Sequence, residues 1–116
     1  MEIRDLSVTF QDEEQTRAAR HVSLELKKGE LAALVGESGS GKTVLCKTIL
    51  QLLGNKTRVE SGEILYQGSN ILEYTEKQMQ KFRGREISMV FQDPYLSLNP
   101  TISIGKQIME TILLHE

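Results

Sequence analysis

The chain has 116 residues, 39% of them hydrophobic and 26% charged, proportions that exclude disorder over most of the length and suit one domain or a piece of one. A formal net charge of −2 removes the electrostatic basis for nucleic-acid binding, and the single cysteine, Cys46, excludes an intrachain disulfide. The longest apolar run, Leu31 to Val35, falls far short of the roughly 20 residues that a bilayer span takes, so work at a membrane requires another chain to do the spanning.

Ile3, Leu6, Val8 and Phe10 lie mostly two apart, and Val22, Leu24 and Leu26 alternate strictly. Both stretches are expected as half-buried strands. Glu2, Arg4 and Asp5 interrupt any apolar signal-peptide core at the start. The polar stretch from Gln11 to Arg17 reads as an exposed hairpin connection, with Asp12, Glu13 and Glu14 as a solvated trio. After a turn at Lys28-Gly29, the run from Glu30 to Val35 predicts a strand buried on both faces, as in a parallel sheet covered by helices.

A glycine-rich segment follows, and then Leu45, Ile49, Leu52 and Leu53 mark one face of a helix. Gly54 stands where its C-terminal cap is expected, and Cys46 reads as a small core residue. Gly62 to Tyr66 predicts a further strand, closed by a turn at Gln67-Gly68. A short polar helix is expected over Thr75 to Phe82, with Thr75 as its N-cap. Glu86 to Phe91 is strand-like, Asp93 to Pro100 is a loop holding both prolines, and Ile104, Ile108 and Ile112 mark one side of a last helix. Strand, glycine loop, helix and strand in that order predict an α/β architecture with an antiparallel β-subdomain beside it.

The segment Gly36-Glu37-Ser38-Gly39-Ser40-Gly41-Lys42-Thr43 satisfies G-x-x-x-x-G-K-[ST] in full. Wrapping a polyphosphate in backbone N–H groups needs glycines that adopt positive φ and put no Cβ in the way. The helix that follows points its positive dipole end and its free N–H groups at the same anion. Lys42 has the reach for the β- and γ-phosphates, and the Thr43 hydroxyl suits Mg²⁺. A dinucleotide-binding reading competes, since Gly39-Ser40-Gly41 begins a G-x-G, but its third glycine would fall at Val44. The pattern is therefore that of a P-loop NTPase.

Two further stretches, Met89-Val90-Phe91-Gln92-Asp93-Pro94 and Ser97-Leu98-Asn99-Pro100, resemble the Q-loop region of ABC-transporter ATPases. The second of them looks like the branch that imports dipeptides, oligopeptides and nickel or related chelates. Gly36 to Thr43, Ser61-Gly62-Glu63-Ile64 and Gly105-Lys106-Gln107-Ile108 are similar to that branch too. The resemblance covers nearly the whole chain. It implies that residues 1–116 form the N-terminal part of a nucleotide-binding domain, with the phosphate loop at 36–43, the Q-loop region at 89–100 and the start of a helical subdomain at 101–116.

By position, the resemblance implies that Gly36, Glu37, Ser38, Gly39, Ser40, Gly41, Lys42 and Thr43 hold ATP, and that Phe10 stacks on its adenine. Thr43 and Gln92 would hold Mg²⁺, with Gln92 also contacting the attacking water and coupling the site to the membrane subunit. Implied partners are transmembrane permease subunits, a second ATPase subunit and, indirectly, a solute-binding protein, at the cytoplasmic face of the cell membrane. The signature motif, the acidic Walker B strand with its catalytic glutamate and the switch histidine are absent from these 116 residues. The chain is therefore expected as a truncated piece that binds nucleotide without efficient hydrolysis. A nucleotide-binding fragment of a broken gene and a soluble ABC protein of repair or translation are the alternatives. His21, His115 and the four methionines match no functional pattern.

Overall fold

The computed structural model describes residues 1–11, 17–37, 41–93 and 95–115. They form two compact units, Met1–Tyr74 and Thr75–Glu116. The first unit is built on an antiparallel sheet. Strand β1 (Glu2–Phe10) pairs with β2 (Arg17–Glu25) on one side and with β3 (Thr57–Tyr66) on the other, and β3 continues through a two-residue turn into β4 (Ser69–Asn70), giving the order β2-β1-β3-β4.

Strand β1 buries apolar residues but is not half-buried as the spacing predicts, since Ser7 and Thr9 between them are buried as well. Ile3, Leu6 and Val8 are buried, and Ile64 of β3 joins them. The turn between β3 and β4 has positive φ at both Gln67 and Gly68, the primed geometry whose twist matches a two-residue hairpin. The expected connection at Gln11 to Arg17 lies mostly outside the described residues, its acidic trio wholly so. Both strands of the hairpin it joins are present.

Asp5 on β1 and His21 on β2 both take left-handed backbone conformations, and these positions interrupt the pairing of the two strands. Local hydrogen bonds compensate. The Asp5 N–H donates to the Ser23 hydroxyl and the His21 N–H to the Ser7 hydroxyl, each at 3.0 Å, while the His21 ring meets the Asp5 carboxylate at 2.7 Å.

Helix α1 (Lys42–Ile49) buries Leu45 and Thr48, with Leu50 buried just beyond it. The Thr48 hydroxyl is satisfied by the Val44 carbonyl. The helix is capped at Leu50, four residues before the expected cap at Gly54. Gln51 takes the left-handed conformation, its N–H bonds the Thr48 carbonyl, and the Leu52 N–H bonds the Lys47 carbonyl, the paired closure of a Schellman motif. A glutamine accepts the left-handed position because its side-chain amide donates to the Ile71 carbonyl at 2.6 Å, a tertiary contact that local sequence does not advertise. The early stop leaves Leu52 exposed, and Cys46 is exposed rather than in the core.

Two other expectations fail for one reason. Residues 30–37 form no strand, and Leu31 and Val35 are 99% and 90% exposed. Glu86 to Phe91 likewise holds no strand beyond a single bridge between Arg83 and Ile87, and Val90 is exposed. A parallel strand buried on both faces needs hydrogen-bonding neighbours on each side and helices above and below. Among the described residues neither segment finds them.

In the second unit, α2 (Glu76–Phe82) starts where Thr75 caps it. The Thr75 hydroxyl accepts the Gln78 N–H at 3.3 Å, and the Gln78 side chain accepts the Thr75 N–H at 2.9 Å, completing a capping box. The Arg83 guanidinium on Glu76, at 2.7 Å and 3.3 Å, holds that exposed carboxyl below its ordinary range. Met79 and Phe82 are buried. Thr75→Ala is expected to lower stability by about 1 kcal/mol, while Thr75→Ser should stay close to wild type; equal denaturant midpoints for the alanine variant and wild type would contradict this. Helix α3 (Ile104–His115) follows, with Ile104, Ile108 and Ile112 on its exposed surface. No helix among the described residues is long and apolar enough to cross a membrane.

Candidate nucleotide-binding site

In the first unit the two ends of the glycine-rich segment come together. Gly36 and Glu37 are exposed and lie in residues 30–37, which have no regular structure. Gly41 and Lys42 begin α1, and the Lys42 ammonium donates to the Gly36 carbonyl. A loop of this length is thus closed by its own lysine. Ser38, Gly39 and Ser40 lie outside the described residues.

Gly41 sits at the N-cap with φ 93°. A Cβ there would fall 2.3 Å from the Ala18 carbonyl oxygen of β2, which real contacts do not allow. Glycine is required at this position for two reasons, then: the left-handed backbone and the close approach of a neighbouring strand. The motif explains the first reason and says nothing of the second.

The start of α1 is chemically open. Its first intrahelical bond runs from the Leu45 N–H to the Gly41 carbonyl at 2.9 Å, so the N–H groups of Lys42, Thr43 and Val44 precede any acceptor in the helix. Gly41 has no side chain to cap them, and no acidic residue stands in the first turn. Three N–H groups, the positive end of the helix dipole and an ammonium at the same end suit a polyanion.

Thr43 is exposed in that turn. One neutral hydroxyl is a sparse donor set, and it fits Mg²⁺, which keeps most of its water and takes its remaining ligands from one or two protein oxygens and substrate phosphates. A dedicated protein cage is a different arrangement, and the described residues contain no cluster of three or more His, Cys, Asp or Glu able to form one.

Phe10 ends β1, half-buried, with Thr57 of β3 as its pairing partner. The neighbouring strand carries Ala18, which touches Gly41, while Ala19 and Arg17 pair with Val8 and Thr9. The end of β1 and the foot of the phosphate loop are thereby linked through β2.

Gln92 belongs to the second unit, where it is exposed in a stretch without regular structure. Directly after it the chain is ordered by its own side chains. The Asp93 carboxylate accepts the Tyr95 N–H at 3.0 Å, and the Asp93 carbonyl accepts the Ser97 hydroxyl at 3.1 Å. Pro94 lies outside the described residues. The sequence drew attention to Asn99 and Gln107 only as parts of similar stretches. The structure joins them by two hydrogen bonds, and a glutamine inside a helix carries no periodic signal that would have revealed it.

The family model described as "ABC transporter" matches residues 19–114. The dipeptide transport ATP-binding protein DppD of Lactococcus lactis subsp. cremoris is 47% identical over 116 residues, covering 99% of this chain and 33% of that protein. The oligopeptide transport ATP-binding protein OppD of Bacillus subtilis is 45% identical over 118 residues, covering 100% of this chain and 33% of its own length. The glutathione import ATP-binding protein GsiA of Salmonella typhimurium is 41% identical over 123 residues, with 100% and 20% covered. The chain thus spans a third or less of the length of these relatives.

Proposed function

This chain belongs to the ABC transporter family, and from that membership we propose that it is the nucleotide-binding part of an importer's ATP-binding subunit. The observation that carries the reading is the closed glycine loop on the uncapped start of α1, with Lys42 at its base. Relatives named for dipeptide, oligopeptide and glutathione transport favour peptides and similar small solutes over nickel chelates.

The residues divide the work as follows. Backbone N–H groups from Gly36 to Thr43 bind the phosphates of ATP, and Lys42 exchanges the Gly36 carbonyl for phosphate oxygens. Thr43 and Gln92 would hold Mg²⁺, which supplies charge neutralisation to the phosphates when bound. Phe10 stacks on the adenine. Gln92 is suited to contacting the attacking water and to coupling because a neutral amide can engage a ligand and release it without leaving a charge behind. The proposed partners are permease subunits, a second ATPase subunit and, through the permease, a solute-binding protein, at the cytoplasmic face of the membrane.

The 116-residue chain by itself binds nucleotide without efficient hydrolysis, since none of Glu60, Glu63 and Glu73 sits in a motif for a catalytic base. Calorimetry should find Mg-ATP bound far more tightly than AMP, because the site reads the β- and γ-phosphates. Equal affinities would overturn the assignment. Phosphate release should not exceed that of Lys42→Ala, and turnover that tracks wild type and vanishes in the variant would show that a catalytic base had been missed.

A further inference from the structure

Between Asp93 and α3 the chain is held in shape by side chains, and one residue, Gln107, makes three of the bonds. The Asn99 side chain accepts the Thr101 N–H at 3.0 Å and the Thr101 hydroxyl at 2.6 Å, forming a local turn. From the first turn of α3, Gln107 reaches back eight residues. Its Oε1 accepts the Asn99 N–H, and its Nε2 donates to the carbonyls of both Asn99 and Ile102, all at 2.9 Å. A single primary amide thus occupies both backbone groups of Asn99, as a neighbouring strand would, and binds a third group as well. Only a side chain with a donor and an acceptor on one planar group can do this. The loop so held leaves Tyr95 and Leu96 91% and 84% exposed.

We infer that Gln107 is a positioning residue, which fixes residues 95–103 to α3 so that displacement at Gln92 reaches the helix instead of being absorbed by the loop. The delivery of movement rests on the coupling role proposed for Gln92; the clamp itself does not. At the near end, the Asp93 bonds to Tyr95 and Ser97 tie Gln92's neighbour into the loop. At the far end, the three Gln107 bonds tie the loop to α3. A loop with anchors at both ends transmits displacement, whereas one anchored at a single end dissipates it.

Amide exchange on the 116-residue chain tests this, first without nucleotide. Gln107→Ala keeps a strong helix former in α3, yet removes every clamp bond. Asn99 should then exchange about tenfold faster or more, with the amides from Ile108 to Ile112 unchanged. Gln107→Glu offers a pH readout that general loosening would not produce. As a carboxylate it accepts from Asn99 and cannot donate to either carbonyl. As pH falls through the ordinary carboxyl range, about 4.3, the protonated acid regains a donor, and loop protection relative to intrinsic rates should return toward wild type. Unchanged Asn99 exchange in the alanine variant, or no pH dependence in the glutamate variant, would overturn the clamp.

Saturating Mg-ATP supplies the second arm. Exchange in α3 should change in wild type, while Gln107→Ala binds Mg-ATP equally well and loses that response. A response that persists in the variant would overturn the transmission role. If wild type bound no Mg-ATP, the nucleotide-binding reading would fall instead, and the nucleotide-free exchange would still decide whether Gln107 positions the loop.

Discussion

Replacing Lys42 with alanine is expected to weaken Mg-ATP binding by roughly ten- to a hundredfold, the equivalent of about 1.5–3 kcal/mol for one charge-assisted contact. The ammonium donates to the Gly36 carbonyl, so the substitution removes a loop closure as well as the proposed phosphate contact. The two losses are separable. The closure lies at the surface and should barely move the thermal midpoint, whereas the phosphate contact should dominate the binding isotherm. Lys42→Arg keeps the charge but replaces a compact point donor with a planar fork, and is expected to fall between the two. Titration calorimetry with matched melting curves checks all three proteins. Equal affinity for wild type and alanine would remove Lys42 from the site.

Gly62→Ala is expected to cost a large part of the stability of the first unit. Gly62 lies in β3 with φ 98°, and a Cβ there would sit 2.5 Å from the Leu6 Cα and 2.6 Å from the Asp5 carbonyl oxygen. The cause is a bulge. Arg4 pairs with Glu63 and Ser7 with Ser61, so Asp5 and Leu6 of β1 together face Gly62 alone. Backbone atoms cannot rotate aside as a side-chain tip can. We expect a loss of about 2–4 kcal/mol, part from the left-handed backbone and part from overpacking, and a melting temperature lower by on the order of 10 °C or more. Gly68→Ala is the control, because Gly68 also has positive φ (83°) but nothing within 4 Å of the added carbon. It should lose only the conformational part, about 1 kcal/mol. Equal melting curves for the two variants would show that the contact with β1 is not what demands glycine at 62.

What could be read from the sequence was whatever local chemistry decides alone. The strands β1 and β2, the turn at Gln67-Gly68 and the N-cap at Thr75 all depend on residues within a few positions of one another, and each is present. The apolar run from Leu31 to Val35 and the strand-like stretch from Glu86 to Phe91 were different. An unbroken apolar run states a requirement for neighbours, and the strand forms only where they are supplied. The end of α1 was misplaced because the Gln51 side chain, bonded to Ile71 twenty residues away, outweighs the preference of Gly54 for a cap. In the candidate site, the glycine-lysine pattern marked the loop, yet the approach of Ala18 to Gly41 and the hold of Gln107 on Asn99 are tertiary facts that no spacing announces.

The exposed segment before the loop has a thermodynamic consequence for the ligand. On its helix side the loop is seated, with Gly41 against Ala18. On its other side it hangs from residues 30–37, which have neither regular structure nor burial. On the proposed reading, nucleotide would have to fix that side as it binds, and each backbone residue fixed costs about 1–2 kcal/mol. Any neighbour that pairs with Leu31 to Val35 would bear this cost in advance and raise affinity for nucleotide by that amount. Linkage makes the effect mutual: bound nucleotide must tighten the neighbour's grip on the same segment by the same factor. Strand pairing and phosphate binding would then be two readings of one equilibrium, measurable from either end.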